Sequence, residues 1–188
     1  MKTLSEIYNK HRKGDWPDKG TVHSYIDIYE RLLKPYREMA KNILEIGLMS
    51  GESLKMWSEY FKGEVHGMDC DIKPHSGMAD LTDAIARGYN IAIGDASDPQ
   101  EIEKFFQGKK FDVVIEDANH DLTQQLQIYY NLKPYMNKGS IYIIEDIQDI
   151  DANRTFFEAL DPEKNIEIID RRHVKGRYDD CLVIITDK

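Results

Sequence analysis

Cysteine is scarce in this chain: 188 residues contain two, Cys70 and Cys181. That excludes a disulfide framework and a thiolate metal cluster, so both are expected as buried free thiols. Proline is sparse, and there is no repeat or low-complexity tract, which excludes solenoids and long linkers. No apolar run approaches the ~20 residues of a membrane helix. No apolar stretch of the signal-peptide kind follows Met1-Lys2-Thr3-Leu4-Ser5-Glu6, so a cytoplasmic chain is expected. Positive charge is also in deficit. Twenty-five Lys and Arg face 34 Asp and Glu, for a net charge of −9. Nucleic acid is therefore not an expected partner, because phosphate contacts need clustered cations. One basic cluster, Arg171 to Arg177, reads as a solvated turn.

The remaining composition, 41% hydrophobic and 31% charged, is that of an ordinary globular domain. The length suits one domain, read as a helical N-terminal lid segment over 1–40 and a catalytic body over 41–188. Lys13 to Gly20 reads as a loop. A helix is expected from Ser24 to about Ala40, interrupted near Pro35, with Ile26, Tyr29, Leu32 and Leu33 on one face.

Beyond it, strands and helices alternate. Strands are expected at 42–46, 64–69, 90–93, 111–116 and 141–145. Helices are expected at 52–61, 81–87, 99–106, 122–135 and 153–160. Asp98 and Pro99 give one helix its cap and first residue. Two last strands, 166–170 and 182–186, are joined by too short a link for a helical crossover, so they must run antiparallel. The fold class is α/β: a doubly wound, three-layer, Rossmann-like sheet, mostly parallel, closed by a C-terminal antiparallel hairpin.

Two of these strands end in carboxylates. Phe111-Asp112-Val113-Val114-Ile115 runs into Glu116-Asp117-Ala118-Asn119-His120, and Ile141-Tyr142-Ile143-Ile144 runs into Glu145-Asp146. In open α/β sheets ligands sit beyond the carboxyl ends of the strands. Asp117, His120, Glu145 and Asp146 are thus expected on one rim, where a hard cation such as Mg²⁺ would relieve the repulsion. Helix capping by Asp117 or Asp121 is the competing explanation.

Three further tips share that rim. The first strand leads into Glu45-Ile46-Gly47-Leu48-Met49-Ser50-Gly51-Glu52-Ser53, a turn at which backbone can approach a ligand. The second ends at Asp69, 24 residues after Glu45, where an acid can bind ribose hydroxyls. The third ends in Gly94-Asp95-Ala96-Ser97-Asp98. Together they point to an adenosine-bearing ligand. The dinucleotide fingerprint is broken, because Met49 stands where its second glycine belongs, and that argues for a ligand without a pyrophosphate. S-adenosylmethionine is one.

These residues resemble class I S-adenosylmethionine-dependent methyltransferases. More narrowly they resemble the metal-dependent sugar O-methyltransferases of macrolide biosynthesis, the macrocin and mycinamicin type, with the cephalosporin hydroxylase-like proteins alongside. The matching pieces are Asp18 to Tyr25, Leu44 to Gly47, Ser53 to Trp57, Val65 to Asp69, Gly94 to Pro99, Glu116 to His120 and Tyr142 to Asp146. Where the family usually has Asp-Asp-Gly-Ser-His, this chain has Glu116-Asp117-Ala118-Asn119-His120. The resemblance implies that Asp117, Glu145 and Asp146 bind Mg²⁺ and that His120 is the general base. It implies a cofactor site drawn from Lys19, Tyr25, Glu45, Gly47, Gly51, Ser53, Asp69, Asp95 and Asp117. His23 and Tyr25 have two readings: an ordinary amphipathic helix with Tyr25 packed on the sheet, or a lid over the cofactor with Lys19 near its carboxylate.

The expected activity is methyl transfer to a hydroxyl of a sugar or polyol-containing small molecule. The competing readings are a hydroxylase-like or NAD-linked enzyme on the same scaffold, and a non-catalytic cofactor-binding protein. Trp57 and Phe61 read as core. Tyr129 and Tyr130 are the expected exposed surface for a homo-oligomer contact.

Overall fold

A computed structural model describes residues 1–73 and 80–188. The sequence of elements is α1 (Leu4–His11), α2 (Ile26–Leu33), β1 (Asn42–Ile46), α3 (Glu52–Tyr60), β2 (Glu64–Asp69), α4 (Thr82–Ala86), β3 (Asn90–Ile93), α5 (Pro99–Phe106), β4 (Phe111–Glu116), α6 (Leu122–Leu132), β5 (Met136–Ile144), α7 (Ile150–Glu158), β6 (Lys164–Asp170), the one-turn α8 (Arg172–Lys175) and β7 (Cys181–Asp187).

The strands form one sheet in the order β3-β2-β1-β4-β5-β7-β6. The first five are parallel, and β7 runs antiparallel to both β5 and β6. This is the expected doubly wound sheet with its antiparallel closing pair. Strand order reverses between β1 and β4, and a crevice opens at such a point.

Alternation along each strand divides the core into two layers. Ile43, Val113, Ile115, Ile141 and Ile143 face α1, α2 and α3. Leu44, Val114, Tyr142 and Ile144 face α5, α6 and α7. Each large apolar side chain buried there contributes about 1.5–3 kcal/mol. The N-terminal helices belong to the first layer: Leu4, Ile7, Tyr25, Tyr29 and Leu33 are fully buried in it.

Local chemistry sets the boundaries. α1 was not foreseen, although its capping box was readable: Thr3 accepts from the Glu6 amide, and Glu6 accepts from the Thr3 amide. α2 stops at Leu33, and a 3₁₀ turn over Lys34–Tyr36 carries Pro35. α6 likewise gives way to a 3₁₀ turn, Lys133–Tyr135, at Pro134. β5 begins five residues earlier than expected, at Met136, because β4 and then β7 supply partners along it. A 3₁₀ turn, Asp18–Gly20, interrupts the expected N-terminal loop.

Three expectations fail on exposure or pairing. Tyr129 is fully buried, with its hydroxyl donating to Asp161 Oδ2, so only Tyr130 of that pair is exposed. Cys70 is exposed, because it lies just past the end of β2. The Arg171–Arg177 cluster is ion-paired rather than simply solvated: Arg171 pairs with Asp27, Arg172 with Asp151 and Asp170, and Arg177 with Asp179. Among the described residues no helix is long and apolar enough to cross a membrane.

Candidate active site

The crevice at the β1/β4 reversal has two halves that share Gly47, Leu48, Met49, Asp117 and Ala118. Gly47 is required where it stands. Its φ is +84°, and a Cβ there would lie 2.0 Å from the Asp117 carbonyl oxygen. The β1 and β4 tips approach so closely that they form the ridge between the halves.

The half over β2 and β3 is a cleft of about 280 Å³ lined by Asp69, Cys70, Gly94 and Asp95, with Ile128 and Gln124 on its α6 side. Asp69 is buried and lines the cleft; its Oδ2 accepts the Leu48 amide at 2.7 Å, and the neighbouring Cys70 thiol also hydrogen-bonds its carboxylate. Asp95 Oδ1 accepts from the Ser97 amide and hydroxyl, an arrangement that fixes the turn after β3.

The half over β5 is a cleft of about 180 Å³ lined by Trp16, Asp18, Lys19, Ser53, His120 and Asp146. His120 and Asp146 both adopt left-handed backbone, with φ of +61° and +53°. Non-glycine residues held there carry strain and concentrate at functional sites. His120 Nε2 lies 3.9 Å from Asp146 Oδ2, and its Nδ1 is buried without a hydrogen-bond partner.

The expected metal set of Asp117, Glu145 and Asp146 is not gathered round one point. Three other groups are, each with ligand atoms within 4.8 Å of one another: Asp18 with His23 and Asp146, Asp117 with His120 and Asp146, and Glu45 with Asp117 and Glu145. The reason is the backbone just past the end of β5, where Glu145 is held by Tyr29 and Lys19 and the left-handed conformation of Asp146 turns its carboxylate towards His120. Glu145 continues the Ile141 and Ile143 side, towards α2.

Lys19 fills the last of these groups. Its ammonium lies 2.5 Å from Glu145 Oε1, 2.7 Å from Asp117 Oδ2 and 3.4 Å from Glu45 Oε1, at 1% exposure. It is therefore spent on protein carboxylates, whereas a place beside a cofactor carboxylate was expected. Burial alone would lower its pKa, but Asp117, Glu145, Glu45 and Asp18 outweigh that and hold it well above the ordinary value.

Of the other expected cofactor residues, Gly47, Asp69, Asp95 and Asp117 line the larger cleft and Ser53 the smaller. Glu45, Tyr25 and Gly51 line neither. Glu45 is fully buried and accepts from Ser53 Oγ and Trp57 Nε1. Gly51, at φ +72°, starts α3, and its missing Cβ makes room for Ala84. Tyr25 donates to Asp146 Oδ1 at 2.7 Å.

Carboxylates outnumber cations here, and burial raises their proton affinity. Burial, and secondarily Asp117, pushes Glu145 and Asp146 well above the usual range; burial raises Glu45, and burial with Asp117 lifts Asp18 to about 6. A divalent ion at such a site would displace protons on binding.

Several participants lie outside the expected metal and cofactor residues. Tyr29 donates to Glu145 Oε1. Asp180 receives the Ser24 amide and hydroxyl. His23 Nδ1 stands 3.1 Å from Asp146 Oδ1 and 3.6 Å from Asp180 Oδ1. A period-2 reading of Glu45, Asp117 and Glu145 would have placed those three carboxylates on one face.

Known proteins share this architecture. The chain is 30% identical over 140 residues to 8-demethyl-8-alpha-L-rhamnosyl tetracenomycin-C 2'-O-methyltransferase of Streptomyces olivaceus, covering 70% of this chain and 35% of that protein. It is 32% identical over 152 residues to L-olivosyl-oleandolide 3-O-methyltransferase of Streptomyces antibioticus, covering 76% and 36%. With demethylmacrocin O-methyltransferase of Streptomyces fradiae the values are 28% over 153 residues, 77% and 36%. The chain thus spans about a third of the length of these curated relatives. Among solved structures, MycE methyltransferase from the mycinamycin biosynthetic pathway, in complex with Mg, SAH and mycinamycin VI, superimposes with a TM-score of 0.71. It is 20% identical and covers 99% of this chain and 54% of that one. An O-methyltransferase from Bacillus cereus in complex with SAH gives a TM-score of 0.66 at 19% identity, covering 98% and 90%. Residues 44–147, more than half of the chain, match the family described as a methyltransferase domain, and this chain belongs to that family.

Proposed function

We propose that this chain transfers a methyl group from S-adenosylmethionine to a hydroxyl of a sugar or polyol-containing small molecule, with a divalent cation such as Mg²⁺ at the site. The observation that carries this reading is the two-part crevice. A ribose-type acid, Asp69, serves one half, and the Asp117 and Asp146 carboxylates with His120 beside them serve the other, with the Gly47–Asp117 ridge between. Family membership and relatives named as sugar O-methyltransferases support it.

The residues fit both groups. The Asp69 carboxylate lines the larger cleft, where it would accept ribose hydroxyls, and no bulky side chain stands at Gly47, over which the amino-acid part of the cofactor would lie. Asp117 and Asp146 offer hard oxygen donors suited to Mg²⁺. A bound divalent ion would supply one thing, greater acidity of the acceptor hydroxyl.

The chain's own side chains do the rest. His120, at the lip of the smaller cleft and unpartnered at Nδ1, takes the hydroxyl proton. Trp16 and Pro17 wall the acceptor side and exclude water. Tyr25 holds Asp146, and Lys19 holds Asp117. The oxygen, methyl carbon and sulfur must align across the Gly47 ridge, and this positioning supplies much of the acceleration.

The test is S-adenosylhomocysteine release from a panel of glycosylated small molecules, with Mg²⁺ and with EDTA. Calorimetric titration with S-adenosylmethionine and with NADH accompanies it. Binding of NADH in preference to S-adenosylmethionine, or tight S-adenosylmethionine binding with no acceptor turned over, would sink this reading.

A further inference from the structure

We infer that Lys19 is a built-in cation. Its ammonium takes the place a divalent ion would otherwise occupy between Glu45, Asp117 and Glu145, and in doing so it docks the N-terminal segment onto the strand tips. The inference stands apart from methyl transfer, since it concerns how the carboxylates of β1, β4 and β5 are neutralised.

Three features carry it. First, Glu45, Asp117 and Glu145 come from three adjacent strands and point to one face, with carboxylate oxygens close enough to share one ion. Such a group cannot stay ionised in a buried place without a cation. Second, the cation present is a lysine with 1% exposure and contacts to all three. An ammonium has three donors, which matches three acceptors. Third, neutral donors complete the shell: Tyr29 on Glu145, and Ser53 and Trp57 on Glu45.

Lys19 belongs to the Asp18–Gly20 turn, and that turn is tied down on both sides. The Tyr25 amide donates to the Lys19 carbonyl at 2.9 Å. Lys175 Nζ donates to the carbonyls of Gly20, Thr21 and His23. The N-terminal segment is thus locked by a charge it delivers itself. A consequence follows for metal binding. With Glu145 engaged by Lys19, the carboxylates of Asp117 and Asp146 remain for a divalent ion, and Asp117 is shared between the two cations.

The test compares full-length wild type, Lys19→Met, Lys19→Arg and the double variant Lys19→Met/Glu145→Gln by thermal unfolding in EDTA and in millimolar MnCl₂. Lys19→Met keeps most of the aliphatic stem and removes the charge. In EDTA it should unfold about 10 °C below wild type, the scale expected for stranding buried charges in a chain of this size. Mn²⁺ should recover most of that loss, while Lys19→Arg should gain no more from Mn²⁺ than wild type does. The double variant removes one charge of each sign and should recover over half of the loss in EDTA without Mn²⁺. Lys19→Met as stable as wild type in EDTA overturns the inference, as does a deficit that Mn²⁺ leaves unchanged. If Lys19→Met can be isolated only from Mn²⁺-supplemented cultures, that supports it. If it cannot be isolated at all, the double variant decides: folded and indifferent to Mn²⁺ supports the inference, unfolded overturns it. S-adenosylmethionine binding, measured on the same samples, reports on the methyl-transfer reading alone.

Discussion

The Tyr25 hydroxyl donates to Asp146 Oδ1 at 2.7 Å, and the other carboxylate oxygen, Oδ2, is the one that faces His120. One oxygen of Asp146 is therefore anchored to the N-terminal segment and the other is presented to the cleft. Partners that orient a metal-binding carboxylate are typically worth 10- to 100-fold in affinity. Tyr25→Phe should weaken Mn²⁺ binding, followed by the electron paramagnetic resonance signal of free Mn²⁺, by about tenfold. S-adenosylmethionine affinity should stay as it was, because Tyr25 lines neither cleft. Unaltered Mn²⁺ affinity would show that Asp146 needs no such anchor.

Asp69 has two tasks: Oδ2 holds the Leu48 amide, and its carboxylate lines the larger cleft. Asp69→Asn keeps the size and one acceptor but loses the charge. A hydrogen bond to a charged group is worth about 1.5–3 kcal/mol. S-adenosylmethionine affinity should therefore fall about 10- to 100-fold in calorimetry. A Kd within twofold of wild type in a folded variant would remove Asp69 from the ribose site.

His120 is placed to take a proton and to do little else. It is held at φ +61° just before the Asp121 cap of α6, with its ring at the mouth of the smaller cleft. His120→Ala should lower kcat by about 10²–10⁴-fold, the usual worth of a general base. Cofactor affinity should not move. Near-normal turnover with the true acceptor would assign the base to another group.

The sequence makes the strand tips legible because each is a short apolar run ending in Gly or Asp, and such runs stop where the pattern stops. Gly47, Asp69, Asp95, Asp117 and His120 could be placed on one rim from that alone. The pairing of carboxylates was not legible in the same way. Glu145 and Asp146 are neighbours in sequence, but they lie past the end of β5, where the backbone sends their carboxylates to different partners. The left-handed turn at Asp146, φ +53°, brings its carboxylate back to the cleft and carries no side-chain signature in advance. Lys19 was misjudged for a related reason. A lone lysine near a cofactor site is easily given to the ligand's carboxylate until the protein's own three carboxylates, 26 to 126 residues away in sequence, are assembled around it.

Glu116 makes a further prediction about pH. It is fully buried on the α6 side, Oε1 accepts the Ala118 amide at 3.2 Å, and Oε2 has no partner. Burial lifts its carboxyl from 4.5 to about 8. The folded chain therefore holds this proton more tightly than the unfolded chain. That contribution to stability is fully present below about pH 4.5 and is lost as pH rises to about 8, a change on the order of a few kcal/mol. Glu45, Glu145 and Asp146, also raised by burial, push in the same direction. Asp170 acts oppositely: hydrogen bonds from Arg172 hold it at about 2, so its contribution is present above about pH 4 and is lost below. Burial lowers His23 and His66, so these two act oppositely between pH 5 and 8, and comparison in EDTA with a Glu116 variant isolates the Glu116 share. Glu116→Gln removes one titrating group while keeping the shape. In denaturant titrations at pH 5 and pH 8 it should lose less stability between the two than wild type does, and at pH 8 it should be the more stable protein. A wild type whose stability rises from pH 5 to 8 in EDTA, with Glu116→Gln tracking it, would mean that Glu116 is already ionised in the fold and that a cation or water reaches its free oxygen.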